Sequence, residues 1–472
     1  MTIVPPSIQV AIIGAGISGL SCAHRLRQLG ISVLVLESQE RGGGLVGTIE
    51  RDGFRFETGP QSFLCTKPIL EMIRALNIES DLLQADPRAP RYIYKHKRLH
   101  AVPMSPPAIL TSSLLSLSSR YRIVSERFRR TKPPTPEESV ADFVRRKFGN
   151  EILEYLVAPF VSGVYAGDPE FLSLKSAFPS LDEWEREHGS IIRGAMNSRK
   201  GSPGPRPALS SFREGMRSLM NALTRSLDSA FVPDARTDSI ERSAAGSGFA
   251  IRFTRAGQRE EMKVQSVILA TPAYISGHVL ENLSPHLAKS LLGIPYAPVA
   301  VVSHGYKRQQ VANSLIGFGV LIPRKERLRT LGTVWNSSLF PGCAPSDSVL
   351  LTSFVGGATD PEIVHEDPDE ISAIVEEEIS GILEISGAPV ASQITRYAKG
   401  LPQYNLGHAH ILENINEELA RQDGLFLTGN YWIGPALGNC VEAGNQAAES
   451  AHAYLSGQKS ATPAQSQIST AT

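Results

Sequence analysis

The sequence predicts an α/β protein organised around an N-terminal βαβ unit, with a sheet-rich region inserted before the chain returns to the same fold. Three observations carry this. A strand-like run, Val10-Ala11-Ile12-Ile13, enters Gly14-Ala15-Gly16-Ile17-Ser18-Gly19. A second apolar run, Val33-Leu34-Val35-Leu36, ends on Glu37 after a helix-like stretch. Far downstream, Leu425-Phe426-Leu427 reads as a late strand, followed by Gly429-Asn430 and a helix from about Val441.

The first two features together describe a Rossmann-like dinucleotide cradle. Gly14 permits the tight turn, Gly16 lets the backbone approach a pyrophosphate, and Gly19 lets helix and strand pack closely. Ala15, Ile17 and Ser18 complete the loop, whose N–H groups and helix dipole favour phosphate. Glu37, with Ser38 beside it, stands about 20 residues on, where an acid accepts hydrogen bonds from a ribose. A second glycine cluster, Gly42-Gly43-Gly44, then precedes Leu45, and Gly59-Pro60-Gln61-Ser62 follows. This second cluster provides close backbone approach without Cβ hindrance. Its pattern resembles flavoenzymes of the amine oxidase and phytoene desaturase superfamily, which implies FAD as cofactor.

Composition sets the bounds. A length of 472 residues suits two or three domains, and equal numbers of acidic and basic residues argue against a nucleic-acid binder. The four cysteines form no C-x-x-C pair, so neither a disulfide framework nor a metal site is expected. The first strand starts close to Met1, which leaves no room for a leader, and no apolar run reaches the ~18 residues of a spanning helix. The tail after Leu455 is rich in Ser, Thr, Ala and Gln and is expected to be disordered.

Leu110, Leu114, Leu117, Tyr121, Val124 and Phe128 recur at helical spacing after Pro106-Pro107, and Arg120 to Lys132 adds a basic end. Periodicity alone admits both a helix in a membrane interface and a core helix with a solvated end. Ser198 to Pro207 reads as an exposed loop, and Glu137 to Phe148 as helical. Short strands follow near Ile251–Phe253, Val264–Leu269, Val299–Val302, Gly319–Ile322, Gly332–Trp335 and Leu350–Phe354, with a helix near Glu370–Leu383. His408 and His410 show no metal-site spacing.

Beyond the first fingerprint, several stretches resemble the oxygen-dependent protoporphyrinogen oxidases. They are Gly59-Pro60-Gln61-Ser62-Phe63, Ser162-Gly163-Val164-Tyr165-Ala166-Gly167-Asp168-Pro169, Ser211-Phe212-Arg213-Glu214-Gly215-Met216, Leu331-Gly332-Thr333-Val334-Trp335 with Phe340-Pro341, Thr352-Ser353-Phe354-Val355-Gly356-Gly357, and Pro402-Gln403-Tyr404. The resemblance implies a p-hydroxybenzoate hydroxylase-like FAD domain in discontinuous pieces (1–90, 205–275 and 400–455). It also implies a mainly helical membrane-binding domain (91–204) and an α+β substrate domain (276–399), with 456–472 as the disordered tail. Gly43, Gly44, Leu45, Gly59 to Ser62 and the Pro435-Ala436-Leu437 loop would then line the flavin. Arg91 would pair with a substrate propionate through a guanidinium fork that never loses its charge. Ala166, Gly167, Leu321, Val334 and Phe354 would wall a flat, apolar cavity.

The implied reaction takes protoporphyrinogen IX to protoporphyrin IX by three two-electron steps, with hydride passing to FAD and dioxygen leaving as hydrogen peroxide. The helical domain implies a peripheral membrane surface, and a cytoplasmic enzyme on the inner membrane is expected. A homodimer and hand-over of product to a chelatase stay open. No catalytic acid, base or metal ligand is nominated. Coproporphyrinogen III is the alternative substrate. A carotenoid desaturase or amine oxidase, or a flavin-binding protein without turnover, shares only the flavin features. Gly42, Trp432 and Pro435 depart from the family pattern.

Overall fold

The computed structural model describes residues 8–129, 137–201, 207–243 and 247–457. The apolar run Val10–Ile13 is buried on both faces because it lies near the middle of a parallel sheet, ordered Phe231–Val232, Val33–Leu36, Val10–Ile13, Ser266–Leu269 and Leu425–Leu427. These strands come from four separated stretches of sequence. Val10, Ile12 and Val35 face the helices Ile17–Gln28, Arg217–Leu227 and Leu437–Leu455. Ala11, Ile13 and Leu36 face the antiparallel meander Ala235–Arg242, Phe249–Arg255 and Gln258–Val264, together with the helices Ala273–Leu280 and Pro285–Leu292. Two-sided burial explains why the strands read as continuous apolar runs rather than alternating ones.

A seven-stranded sheet forms the second layer system, ordered Ala391–Pro402, Tyr296–Lys307, Ser348–Gly356, Thr330–Trp335, Gly319–Leu321, Arg91–Lys95 and Arg98–Ala101. The helix Pro368–Leu383 packs Ile371, Val375 and Ile379 against it. This sheet begins at Tyr296 rather than at 276, since the helices from 273 to 292 bury Val279, Leu287 and Leu291 against the parallel sheet. It also takes in residues 91–101, so the helical part expected from residue 91 starts at Pro106. The physical reason is alternation: Ile93 and Lys95 turn inward while Tyr92 and Tyr94 lie on the other face.

The helix expected from Pro106 onward divides into Pro106–Thr111 and Leu117–Glu126. Two serines make the break. The Ser112 hydroxyl accepts from the Leu114 N–H at 3.2 Å, and Ser116 caps the second helix by accepting from Ser119 N–H at 3.3 Å. Leu114 and Leu115 turn into the core between them, whereas Leu110, Leu117, Tyr121 and Phe128 are 58%, 78%, 67% and 70% exposed. The basic end at Arg130 and Lys132, the prolines after it and the tail from residue 458 lie outside the described residues. The helix Ile191–Gly201 runs into the stretch expected as a loop from Ser198, whose residues 202–206 are also outside them. Among the described residues no helix is long and apolar enough to cross a membrane, and no cluster of three or more His, Cys, Asp or Glu side chains is placed to hold a metal ion.

Candidate functional site

At the carboxyl end of the parallel sheet, Gly14 turns with φ +98° and delivers the chain into the helix Ile17–Gln28. The first turn of that helix has no side-chain cap, so its N–H groups are left for a ligand. A Cβ on Gly16 would meet nothing within 4 Å, so this position opens onto the cavity, whereas a Cβ on Gly19 would overlap the Gly14 carbonyl oxygen. Glu37 is buried, and its two carboxylate oxygens divide their work. Oε2 accepts from Ala15 N–H at 2.7 Å, and Oε1 accepts from Gln39 N–H at 2.9 Å and Ser38 Oγ at 3.2 Å. Ala15 therefore serves the loop by fixing the acid.

The second glycine cluster backs onto the first. Gly43, at φ +122°, donates its N–H to the Ala15 carbonyl at 2.7 Å and bridges to Gly16. Gly42, the departure from the family pattern, has a packing reason: a Cβ there would sit 2.8 Å from Thr224 Oγ1 on the helix Arg217–Leu227. Opposite, Ala436 opens the helix Leu437–Leu455, again without a side-chain cap. Ser18 and Gly444 bring the two helices together so closely that a Cβ on Gly444 would lie 2.5 Å from the Ser18 carbonyl oxygen. Two uncapped helix N-termini thus line one cavity, an arrangement suited to a pyrophosphate and to the polar edge of a flavin.

That cavity holds about 2940 Å³ and runs without interruption into the seven-stranded sheet. Ordinary ligand pockets hold about 300–1,000 Å³, so there is room for a dinucleotide and a second flat molecule. Of the residues expected at the site, Gly14, Gly16, Ile17, Ser18, Glu37, Ser38, Gly43, Gly44, Leu45, Gly59, Pro60, Gln61, Ser62, Pro435, Ala436 and Leu437 line it at the nucleotide side. Arg91, Ala166, Leu321, Val334 and Phe354 line its far wall. Ala15, Gly19 and Gly167 do not. Gly19 is spent on helix–strand packing, and Gly167 is buried against Gln403, where a Cβ would lie 3.0 Å from Oε1.

Strand pairing assembles the far wall from distant segments: Gly319 pairs with Arg91 on one side and Val334 on the other, and Phe354 pairs with Gly332. Leu321 fits because Gly163 and Gly332 lie beside it; Cβ atoms there would come within 2.7 and 3.0 Å of its Cδ2. Ala166 adopts a left-handed conformation, φ +49°, and its carbonyl accepts from Ala358 N–H at 2.7 Å. Arg91 stacks its guanidinium 5.3 Å from the centre of the Phe318 ring, and among the described residues no carboxylate pairs with it. The carboxylates on the lining are Glu37 and Glu442, and no described histidine or aspartate joins them. His408 lies apart: its Nε2 is 3.1 Å from the Tyr431 carbonyl, and burial pushes its pKa down to about 4, so it is a neutral interior group.

Sequence reasoning missed Asn336, whose Nδ2 donates to Gln61 Oε1 at 2.7 Å, and the tie from Gln403 Nε2 to the Tyr165 carbonyl at 2.9 Å. Both join segments hundreds of residues apart, which no local pattern signals.

Comparison with known proteins agrees with this geometry. The family model for flavin containing amine oxidoreductase matches residues 17–452. The chloroplastic protoporphyrinogen oxidase of Nicotiana tabacum is 34% identical over 95% of this chain and 86% of its own length. Coproporphyrinogen III oxidase of Bacillus subtilis (strain 168) is 28% identical over 94% and 98%. Among solved structures, an Exiguobacterium sp. 255-15 protein provisionally named a protoporphyrinogen oxidase superposes with TM-score 0.81 at 24% identity, covering 96% of this chain and 99% of that one. Cyclohexylamine oxidase from Brevibacterium oxydans IH-35A superposes with TM-score 0.69 at 18% identity, covering 96% and 100%. With the FAD cradle, the continuous cavity and these relatives in agreement, the chain belongs to the flavin containing amine oxidoreductases and, within them, to the protoporphyrinogen oxidase family.

Proposed function

We propose that this chain is an FAD-dependent oxidase that converts protoporphyrinogen IX to protoporphyrin IX in tetrapyrrole biosynthesis, with dioxygen as the final acceptor. One observation carries the reading: the nucleotide cradle and an apolar hollow bearing the Arg91 guanidinium, which no carboxylate pairs among the described residues, belong to a single cavity. FAD, when bound, supplies the hydride-accepting ring. Gly14 to Gly19 would hold its pyrophosphate, Glu37 and Ser38 its ribose, and Leu45, Gly59 to Ser62 and Pro435 to Leu437 its ring system. Arg91 would grip one propionate and so set which edge of the macrocycle faces the cofactor. Leu321, Val334, Phe354 and Ala166 would exclude water and hold the macrocycle flat. The exposed Leu110, Leu117, Tyr121, Val124 and Phe128 support docking on a membrane surface, such as the inner face of a bacterial membrane.

The test is porphyrin fluorescence in air, with FAD-loaded protein given protoporphyrinogen IX or coproporphyrinogen III. Faster growth with protoporphyrinogen, above autoxidation and matched by peroxide, is the expected result. Preference for coproporphyrinogen would keep the cofactor and mechanism and change the substrate. No rate with either would overturn the proposal.

A further inference from the structure

Gln61 is 6% exposed and sits on the loop between the cofactor cradle and the substrate wall. Its side-chain amide has one carbonyl and one amino group to place. Nε2 lies 2.8 Å from the Gly59 carbonyl, which can only accept, so the amino group must face that way. Oε1 is thereby turned to the other side, where it accepts from Asn336 Nδ2 at 2.7 Å. With Oε1 turned to Asn336 and one N–H spent on Gly59, the amide has one N–H left to donate.

Asn336 itself is 5% exposed and opens the short helix Asn336–Leu339 directly after the strand Thr330–Trp335, which carries Val334. Its own Oδ1 has no hydrogen-bond partner among the described residues, so its contribution lies on the donor side. One residue back, Trp335 N–H donates to the Phe318 carbonyl at 3.0 Å, and Phe318 N–H donates to the Pro90 carbonyl at 2.8 Å. The Phe318 ring supports the Arg91 guanidinium. A short run of bonds therefore joins the loop beside the cofactor to the cation at the far wall, and the Asn336–Gln61 contact is the link between the two halves.

We propose that Asn336 is a positioning residue: it locks Gln61 so that the cavity meets a hydrogen-bond donor, and it sets the spacing between the cofactor loop and Arg91. The acceptor it prepares for is a carbonyl or carboxylate oxygen of the bound molecules. The inference rests on the porphyrinogen oxidase reading, since spacing matters only if a substrate bridges the two elements.

The experiment compares Asn336→Leu, Gln61→Leu, the double Leu variant and the length-swapped pair Gln61→Asn with Asn336→Gln, all as FAD-loaded protein. Loss of one buried hydrogen bond corresponds to about a tenfold effect. Asn336→Leu is expected to keep FAD and to raise KM for the porphyrinogen by about that factor, with kcat less affected. Gln61→Leu, which removes the donor itself, should cost at least as much, the double variant should be no worse than Gln61→Leu alone, and the swapped pair should recover most of the loss. An unchanged KM in Asn336→Leu, or single effects that add in the double variant, would overturn the proposal. If the unsubstituted protein turns over no porphyrinogen, the functional reading falls separately. The visible circular dichroism of bound FAD then decides: the same change in both single variants supports the locked amide, and no change overturns it.

Discussion

The two ends of the cavity are built from different materials. At the nucleotide end the backbone carries the site: Gly14, Gly16 and Gly43 shape it, and two uncapped helices present N–H groups to it. At the far wall side chains do this, contributed by strands and a helix far apart in the chain. A backbone site tolerates almost no added atom, because the atoms in the way are themselves main chain. A side-chain site can lose one wall residue and keep its frame. The first end should therefore fail all at once, and the second by degrees.

The largest expected effect tests that contrast directly. Gly19→Val would drive its Cβ into the Gly14 carbonyl oxygen, so the protein should lose bound FAD and soluble expression together; a yellow, soluble Gly19→Val protein would break the comparison. Arg91→Ala comes next. It should retain FAD and raise KM for the porphyrinogen by roughly 10- to 100-fold, the range for losing a charge-assisted hydrogen bond. Steady-state kinetics beside a flavin count would check it, and loss of FAD would show that the two ends are not separable.

Acid and base responses sharpen the comparison further. In the seven-stranded sheet, burial pushes the His304 pKa down to about 4 from 6.5, so the unfolded chain binds the extra proton first and stability falls as pH drops through that window. Beside the cofactor loop, burial raises the Glu57 pKa to about 7 from 4.5, although Met216 N–H and Thr48 Oγ1 donate to its carboxylate. There the folded state holds the proton more tightly, and stability falls as pH rises from 4.5 to 7. Each effect is worth at most about 3.5 kcal/mol. In thermal unfolding, His304→Asn should flatten the acid limb and Glu57→Gln the limb approaching neutrality; unaltered slopes would contradict these assignments. The smallest effect is expected at the surface. Leu117→Asp with Phe128→Asp should reduce co-sedimentation with liposomes several-fold while leaving turnover in detergent within about twofold, as exposed substitutions do.

How much of this was legible in the sequence follows the same division. The cradle could be read because each of its demands is local: a glycine at a tight turn, an acid at a strand end, a second glycine cluster. The late strand and helix could be read from pattern, and the family resemblance named the far-wall residues. The break at Ser112 and Ser116 was less visible, because apolar spacing was followed through two residues whose hydroxyls compete with helical hydrogen bonds. The family resemblance puts residues 91–101 with the helical domain, although their alternation is that of a strand. Gln61 and Asn336 could not have been joined from sequence, since only the fold brings them together.

The order of strands in the parallel sheet has a consequence for how the protein is made. Of the sheet strands Val10–Ile13 emerges first from the ribosome, but the sheet is closed by Leu425–Leu427, and the helix after it brings its N-terminus to the cavity. At about 5–20 residues per second, the open edge at Ser266–Leu269 waits roughly 8–30 s for its last partner. Cofactor capture is thus a late event in synthesis, and until then the nascent chain must be kept from pairing with its neighbours.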